Sequence, residues 1–325
     1  MKTQAIRFHQ TGGIEVLQLE EIDLPDLKEN EVLINQKFIG VNFIDTYYRS
    51  GLYPIHLPSG LGTEASGVIE KVGSEVKNFK VGDRVTYAQG PLGAYAKKRI
   101  LTEDKLIHIP DEVTFEQAAA VTLKGLTVSY LFEDVHKLSP DETVLFHAAA
   151  GGVGLIACQW AKHVGAKLIG TVSSHAKAEF IKKMGAFEAI NYSEENIPER
   201  VFAITRGNKV PVVYDSIGAA TWEDSLNSLS PRGLMVSFGN TTGPVKDVNL
   251  GILAQKGGLF VTRPMLGHYV DTPEKLKEKS SKLFSMVKDG IIIPQIDNIF
   301  KLEDAKIAHQ ELLDRSRMGT ILLEV

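Results

Sequence analysis

The chain has 325 residues, of which 43% are hydrophobic and 23% charged, a composition typical of an ordinary globular protein. At about 150 residues per domain, this length predicts two domains. The 36 Lys and Arg against 40 Asp and Glu leave a net charge of −4, so no net basic field attracts nucleic acid or an anionic membrane. The one cysteine, Cys158, excludes an internal disulfide and any metal site built from several cysteines.

The beginning of the chain predicts a cytoplasmic protein. Residues 1–10 contain Lys2 and Arg7 but no apolar core of a secretory signal. The uncharged stretch from Thr143 to Ala161 has the length of a membrane span, but glycines interrupt it. A strand, a glycine turn and a helix explain these residues better, and we expect no membrane partner.

The first part of the chain, residues 1–122, is predicted to be mainly β. Short β-type runs such as Glu31–Lys37, Ala65–Val72 and Arg84–Tyr87 alternate with Gly, Pro and Asp. Turn sequences such as Val81–Arg84 are typical of a small barrel or sandwich.

From Leu123 onward strands and helices alternate, which predicts a parallel sheet covered by helices on both faces. The predicted strands are Val144–His147, Lys167–Val172, Ala189–Tyr192, Val210–Asp215, Leu234–Phe238 and Leu259–Thr262, and the predicted helices include Gly154–His163 and Ala176–Met184. After Pro264, a helix over Thr272–Lys288 precedes Gly290–Ile293 and a last strand, Gly319–Val325. We interpret this tail as returning to the first domain, so that residues 1–122 and 265–325 form one domain and residues 123–264 the other.

The sequence Ala148–Gly154 lies between a predicted strand and a predicted helix. Small residues there allow a backbone to approach a pyrophosphate, and the helix start offers N–H groups and a positive dipole end. The run is a variant of the dinucleotide fingerprint, with alanine in place of its first glycine. Tight packing between strand and helix also requires small residues, and that interpretation stays open.

The residues after the second strand favour NADPH over NADH. NAD-binding proteins place an acidic residue about 20 positions beyond the fingerprint, where it accepts hydrogen bonds from the ribose. Here that position is Ser173, and the sequence has no Asp or Glu between Glu142 and Glu179. Ser173, Ser174 and Lys177 can donate to a 2′-phosphate, although Lys177 taken alone is equally a solvated helix charge.

A catalytic zinc is not expected. Zinc dehydrogenases need thiolate and imidazole ligands, and their structural site needs four cysteines. Cys158 falls inside a predicted helix, where a buried small residue is its expected role. The nine histidines have no pair at metal-ligand spacing.

These motifs resemble the medium-chain dehydrogenase/reductase superfamily, and within it the bacterial branch of the zinc-free, zeta-crystallin-like NADPH:quinone oxidoreductases. The resemblance covers essentially the whole chain. It is carried by the runs Gly40–Asp45, Arg49–Pro54, Pro58–Val68, Gly82–Val85, Lys124–Thr127, Ala149–Gly154, Tyr214–Gly218 and Phe238–Asn240. It implies a GroES-like β-rich catalytic domain, a Rossmann domain with a doubly wound parallel sheet, and a homodimer.

The resemblance also implies the site residues. Near the nicotinamide end or the cleft it places Asn42, Asp45, Tyr47, Lys124, Thr127 and Tyr130; at the pyrophosphate turn Ala149, Gly151, Gly152 and Val153; at the 2′-phosphate Ser173, Ser174, Lys177 and Tyr192; and at later strand ends or the tail Ser216, Phe238, Gly239, Asn240, Arg263, Pro264, Met265 and Arg315. Structural alternatives remain: Asn42 and Asp45 as caps of a turn or helix, the tyrosines as core aromatics, and Arg315 as a surface charge.

The expected activity is NADPH-dependent reduction of quinones, in which the nicotinamide supplies the chemistry and the protein chiefly positions it. Tyr47 or Tyr53 is the candidate donor of a hydrogen bond or proton to the developing oxyanion. Whether electrons pass singly or as a hydride is left open. The alternatives are an NADPH-dependent enone or alkenal double-bond reductase and, more remotely, a nucleotide-bound RNA-binding or crystallin-like structural protein.

Overall fold

The computed structural model describes residues 1–314 and 316–325. The chain divides into two compact units: unit 1 contains residues 1–126 and 270–325, and unit 2 contains residues 127–269. The predicted divisions lay at residues 122 and 265. Each unit has its own hydrophobic core.

Unit 1 is built mainly from antiparallel β-structure. Its strands are β1 (Lys2–Phe8), β2 (Gln18–Asp23), β3 (Glu31–Val41), β4 (Ser59–Gly60), β5 (Ala65–Val72), β6 (Arg84–Tyr87), β7 (Lys98–Thr102) and β8 (Ile107–His108). Unit 2 continues with β9 (Thr143–Phe146), β10 (Lys167–Val172), β11 (Glu188–Asn191), β12 (Val210–Asp215), β13 (Leu229–Ser237) and β14 (Phe260–Thr262), and the tail adds β15 (Ile296–Lys301) and β16 (Thr320–Glu324) to unit 1.

The helices are α1 (Phe43–Arg49), α2 (Phe115–Tyr130), α3 (Gly152–Val164), α4 (His175–Lys183), α5 (Ile197–Ile204), α6 (Trp222–Ser228), α7 (Gly251–Gln255), α8 (Pro273–Lys288) and α9 (Ala305–Leu313). The boundary between the units falls within α2. None of the helices in the described residues is both long and apolar enough to cross a membrane. As predicted, residues 143–161 form a strand, a turn and the first part of a helix.

The long strand β3 organises unit 1. It pairs with β5 and β7 from the first segment and with β16 from the tail, all antiparallel. The strand order β15-β16-β3-β5-β6-β8 therefore joins both segments in one sheet, while β2-β1-β4 forms a smaller one. Ile34, Ile39, Ile69, Val85 and Ile321 lie in the core beneath.

Unit 2 holds a parallel sheet in the order β11-β10-β9-β12-β13-β14. This is the strand order of the dinucleotide-binding doubly wound fold, with the first strand of the unit, β9, in the middle. The chain runs outward from β9 in one direction through β11 and then in the other through β14. The strand ends beside β9 therefore form the crevice in which such sheets bind ligands.

The sequence predictions match the sheet of unit 2 to within a few residues, and the bounds of β10 and β12 are as predicted. The β-rich prediction for the first segment missed α1 and the start of α2. The tail contains β15 and α9, neither of which was predicted. Helices α1 and α9 are short, about two turns each, so their periodicity is weak.

Candidate functional site

The predicted site residues of unit 2 gather at one edge of the sheet. Because its strands are parallel, their carboxyl ends lie together. Every strand of the sheet is followed by at least one predicted residue. They are Ala149, Gly151, Gly152 and Val153 after β9, Ser173, Ser174 and Lys177 after β10, Tyr192 after β11, Ser216 after β12, Phe238, Gly239 and Asn240 after β13, and Arg263, Pro264 and Met265 after β14.

The turn after β9 brings backbone close to backbone. A Cβ on Gly154 would lie 2.5 Å from the Cα of Ala149, so only glycine fits there. The turn begins with Ala148 in the left-handed region (φ 53°), and the Ala149 N–H donates to the Thr171 carbonyl on the neighbouring strand. Gly151 is the N-cap of α3, where no side chain caps the helix and no acidic residue stands in the first turn. The helix start can therefore receive an anion.

The residues after β10 form a corner of polar side chains. Ser174 is the N-cap of α4, and its Oγ accepts from the Lys177 N–H (3.4 Å). Lys177 is buried. The Ser193 Oγ donates to the Ser173 carbonyl (3.1 Å), which ties this corner to the loop after β11. That loop also bears Tyr192, which is 43% exposed.

The loop after β11 also carries a carboxylate that was not predicted to lie at this corner. His175 Nε2 lies 2.9 Å from a Glu194 carboxylate oxygen. The interval 143–178 has no acidic residue, but the fold brings one beside it from the next strand end. This contact occupies the His175 side chain, so the two serines and Lys177 remain the predicted phosphate donors.

Hydrogen bonds, a close backbone contact and ring packing connect the ends of four strands in unit 2. Gly239 approaches Ser216 so closely that a Cβ would lie 2.3 Å from the Ser216 carbonyl oxygen. The Arg263 Nη1 donates to the Gly239 carbonyl (3.1 Å), and its Nη2 donates to the Asn240 side-chain oxygen (3.1 Å). Phe238 packs on Phe146 with ring centroids 5.6 Å apart. Pro264 is buried and Met265 is 55% exposed.

A buried polar network beneath this edge was not predicted. His147, the residue before the turn, has Nδ1 3.0 Å from the Thr171 hydroxyl and Nε2 3.0 Å from the Ser225 hydroxyl. Ser225 donates to Asp215 (2.7 Å), whose other oxygen accepts backbone N–H groups from the loop that follows Ser216. Burial lowers the pKa of His147, which keeps the imidazole neutral. The network braces the ends of β9, β10 and β12.

Two further predicted residues of unit 2 lie in α2. Tyr130 is buried and stacks on Tyr269, with ring centroids 4.7 Å apart and planes 9° apart. Burial raises the pKa of Tyr130, so its hydroxyl stays protonated. Thr127 is half-buried one turn earlier. Tyr130 is thus packed as a core aromatic, and its contact with the cofactor stays a prediction.

In unit 1 the predicted residues Asn42 and Lys124 meet on one buried carboxylate. Glu64 Oε2 accepts from the Asn42 Nδ2 (2.9 Å) and the Lys124 Nζ (3.2 Å), and its Oε1 accepts from the Leu123 N–H (2.6 Å). Glu64 was not a predicted site residue. Its sequence signal was its place in the run Pro58–Val68. The structure adds the close approach of Gly40, where a Cβ would lie 2.1 Å from Glu64 Oε2. Glu64 therefore orients two predicted cofactor contacts.

Asp45 is fully buried at the start of α1. Its Oδ2 accepts from the Asn42 N–H and from the Tyr95 hydroxyl, each at 2.9 Å. Asn42 is the N-cap and Asp45 the third helical residue, so the alternative of a helix cap is correct for this pair. Burial raises the pKa of Asp45 to about 7. A capping carboxyl whose pKa lies near neutrality is also suited to acid–base catalysis.

Tyr47 and Tyr53, the candidate proton donors, lie side by side in unit 1. Tyr47 is on α1 and is buried; Tyr53 is half-buried just after the helix. Their ring centroids are 5.3 Å apart, and the Tyr53 N–H donates to the Tyr47 carbonyl (3.1 Å). The structure thus brings the two candidate tyrosines together.

The remaining predictions concern a tail residue and metals. Arg315 lies outside the described residues. Cys158 is buried, as predicted, and burial raises the pKa of its thiol to about 12, so it does not supply a thiolate. In residues 1–314 and 316–325, no three His, Cys, Asp or Glu side chains are placed to hold a metal ion.

Comparisons with known proteins agree with this architecture. Family models match residues 28–111 as an alcohol dehydrogenase GroES-like domain and residues 152–281 as a zinc-binding dehydrogenase. A quinone oxidoreductase of Pseudomonas aeruginosa is 56% identical, covering 98% of each chain. The crystal structure of Escherichia coli quinone oxidoreductase complexed with NADPH has a TM-score of 0.98 at 55% identity and covers 99% of this chain and 100% of that one. A 2-haloacrylate reductase of a Burkholderia species is 40% identical, covering 97% of each chain.

The Asp45 environment predicts an unusual pH dependence of stability. Because the pKa of Asp45 is raised in the folded state, the contribution of this carboxyl to the free energy of unfolding is fully present below pH 4 and is lost as the pH rises through 7. Asp45→Asn keeps an oxygen acceptor but cannot titrate. Between pH 5 and pH 8 we expect the stability of the parent protein, relative to this variant, to fall by about 2 to 3 kcal/mol.

Urea unfolding at several pH values and constant ionic strength measures this difference. Asp111→Asn, at a fully exposed carboxylate, is the matched control and should run parallel to the parent. Parallel curves for Asp45→Asn and the parent would contradict the assignment.

Proposed function

The chain belongs to the quinone oxidoreductase family of the medium-chain dehydrogenases/reductases, and we propose that it is an NADPH-dependent quinone reductase that works without zinc. The observation that carries the proposal is 56% identity over nearly the full chain to quinone oxidoreductases, together with an uncapped helix start after the central strand. The bound dinucleotide would supply the hydride. The protein would bind, orient and shield the reactants.

The glycine turn fits a pyrophosphate. The backbone of Ala149, Gly151, Gly152 and Val153 would face it, since Ala149 lies in the turn, Gly151 is the N-cap and Gly152 and Val153 open α3. The turn residues before Val153 carry at most a methyl group. Because Gly239 approaches Ser216 closely, the ends of β12 and β13 stay close together beside this turn. An anion at this end of α3 meets no competing acidic side chain in the first turn.

The 2′-phosphate would lie at the corner after β10. Ser173, Ser174 and Lys177 would donate to it, and the exposed Tyr192 would border it. The Glu194 side chain is 55% exposed, so solvent and salt screen its repulsion of a phosphate. This arrangement supports NADPH in preference to NADH.

In unit 1, the proposed contacts of the nicotinamide end are Asn42, Asp45, Tyr47 and Lys124, of which Asn42 and Lys124 are oriented by the Glu64 carboxylate. Unit 2, taken by itself, offers further proposed contacts of the dinucleotide at α2 and at its strand ends: Thr127, Tyr130, Phe238, Asn240, Arg263, Pro264 and Met265. Tyr47 or Tyr53 would donate a proton to the reduced quinone oxygen.

A catalytic zinc does not fit these residues. Asn42 and Lys124 both donate hydrogen bonds to Glu64, and the Lys124 ammonium already supplies the positive charge beside the Glu64 carboxylate. Zinc prefers thiolate and imidazole ligands, and Cys158 lies in α3 of unit 2. We therefore assign no step to a metal.

A second candidate is reduction of an activated carbon-carbon double bond. It is favoured by the 40% identity to a 2-haloacrylate reductase, whose name specifies such a substrate. An enone or haloacrylate accepts hydride at carbon, as a quinone does, so the same site serves both.

We further propose a cytoplasmic homodimer with no nucleic-acid partner. The strand β14 is the last of the six-stranded sheet, and it exposes Phe260 (60%) and Val261 (39%). An apolar sheet edge of this kind is a template for a partner strand, and a second copy would cover it. The net charge of −4 gives no electrostatic reason to bind nucleic acid.

Substrate class is tested by NADPH oxidation with ortho-quinones, para-quinones, enones and 2-haloacrylate. We expect kcat/KM for at least one quinone to exceed that for every alkene by at least about tenfold, or about 1.4 kcal/mol. The reverse order would favour the double-bond reductase. No oxidation of NADPH by any quinone, with submicromolar RNA binding, would reject the proposal that the protein is an enzyme.

Normal turnover in both Tyr47→Phe and Tyr53→Phe would exclude both tyrosines as the proton donor.

The phosphate corner predicts a cofactor-specific effect of Lys177→Ala. Loss of a charged hydrogen bond to the 2′-phosphate should raise the KM for NADPH by about tenfold or more and leave that for NADH unchanged. Lys183→Ala, at the exposed end of the same helix, is the control and should change neither. An equal loss with both cofactors would assign Lys177 a purely structural role.

The sheet edge predicts that Phe260→Glu converts the dimer to a 35.7 kDa monomer. A carboxylate cannot be buried against an apolar partner without a large desolvation cost. Light scattering after size exclusion measures the mass. Phe202→Glu, an exposed phenylalanine on α5 of the same unit, should stay dimeric; a dimeric Phe260→Glu would contradict the assignment of this edge.

A further inference from the structure

A line of buried side chains connects Asp45 at the start of α1 with the C-terminal helix α9. The Tyr95 hydroxyl lies 2.9 Å from Asp45 Oδ2 and 3.1 Å from His309 Nε2. On the far side of the imidazole, the Arg49 Nη1 lies 3.0 Å from His309 Nδ1. Asp45, Tyr95 and His309 are fully buried and Arg49 is 5% exposed. Asp45 and His309 are 264 positions apart in the sequence, yet one hydroxyl separates them.

The hydrogen bonds in this line have one consistent direction. Arginine has only donors, so His309 Nδ1 accepts from Arg49. A neutral imidazole then carries its hydrogen on Nε2 and donates to the Tyr95 oxygen, which leaves the Tyr95 hydrogen for Asp45. Burial and the Arg49 charge lower the pKa of His309 to about 3, so the imidazole stays neutral. Three donors in succession thus point toward the carboxyl.

The Asp45 carboxyl is held on one oxygen only. Oδ2 accepts from Tyr95 and from the Asn42 N–H, whereas Oδ1 is buried without a hydrogen-bond partner among the described residues. The other charged groups that act on Asp45 are Lys124, which favours the carboxylate, and Glu64, which disfavours it. Tyr48, on the same helix, also interacts with it electrostatically. The Tyr95 donation is therefore one of few contacts that favour the ionised form.

We propose that Arg49, His309 and Tyr95 are positioning residues that set the orientation and the protonation equilibrium of the Asp45 carboxyl, which makes α9 a functional part of the active site. This inference rests on the proposed reductase function, since Asp45 lies on the helix that carries Tyr47 and beside Asn42. The carboxylate and the neutral acid differ by a full charge at that end of the site. Turnover should therefore titrate with Asp45.

The sign of the expected effect follows from the direction of the donors. A hydrogen bond to a carboxylate stabilises the charged form and lowers the pKa. Tyr95→Phe removes the donor without changing the ring, so the Asp45 pKa should rise by about one unit. The corresponding limb of the pH profile of kcat/KM should move by the same amount toward higher pH, whereas a loss of packing alone would scale the profile without moving it.

The imidazole can be replaced by a side chain with the same pattern of donor and acceptor. His309→Gln retains one N–H donor for Tyr95 and one oxygen acceptor for Arg49, while His309→Leu retains neither. We expect the glutamine variant to keep the parent profile and the leucine variant to shift in the direction of Tyr95→Phe. This pair tests the line even if Tyr95→Phe does not fold.

Tyr87→Phe is the matched control. Tyr87 is another fully buried tyrosine of unit 1, but its hydroxyl donates to Gln36 and accepts from Arg99 instead of contacting Asp45. It should leave the pH limb in place. An equal shift in Tyr87→Phe, an unmoved limb in Tyr95→Phe, or identical profiles for His309→Gln and His309→Leu would overturn the proposal.

A measurement independent of activity separates this inference from the proposed function. The carboxyl carbon resonance of Asp45 in protein labelled with ¹³C-aspartate, assigned with Asp45→Asn, reports its titration directly. An upward shift of about one pH unit in Tyr95→Phe supports the positioning line whatever the substrate. A shift in the resonance without quinone turnover by the parent would reject the function and retain the line. The same titration midpoint in the parent and Tyr95→Phe would reject the line.

Discussion

Unit 2 depends on one close approach of backbone to backbone, where strand β9 turns into helix α3. A Cβ on Gly154 would lie 2.5 Å from Ala149 Cα and 2.6 Å from the Ala148 carbonyl oxygen. Alanine would improve helix propensity by up to about 1 kcal/mol, but overpacking of this kind costs about 1–3 kcal/mol and involves rigid backbone. The steric clash therefore outweighs the gain in helix propensity and requires glycine at position 154. The same approach brings the start of α3 against the sheet and points its N–H groups to the edge where the other strands end.

The polar groups of unit 1 obey a different constraint, because buried charge must be compensated. Glu64 receives a backbone N–H, an amide and the Lys124 ammonium. Asp45 receives a backbone N–H and a hydroxyl on a single oxygen, and burial dominates its pKa. Two carboxylates in one unit thus have different environments: Glu64 is paired with a cation and organises its neighbours, whereas Asp45 is poised to change charge near neutral pH.

Local signals explain what could be predicted from the sequence. Strands β10 and β12 are apolar runs bounded by clear breaks, and the Ala148–Gly154 turn consists of alanine and glycine except for Val153, so fold and turn were predictable. The approach of Glu194 to His175 and the line from His309 to Asp45 depend on tertiary contacts. No periodicity or spacing encodes such pairs. Glu64 lay inside a recognised motif, but its partners become evident only when Gly40 is seen against it.

We propose that the edge of the unit 2 sheet binds a dinucleotide with a 2′-phosphate. Calorimetric titration of the parent protein with NADPH and with NADH, at one pH and ionic strength, tests it most directly. A dissociation constant at least about tenfold lower for NADPH, or about 1.4 kcal/mol, is the predicted result. Equal dissociation constants for the two cofactors would contradict the account.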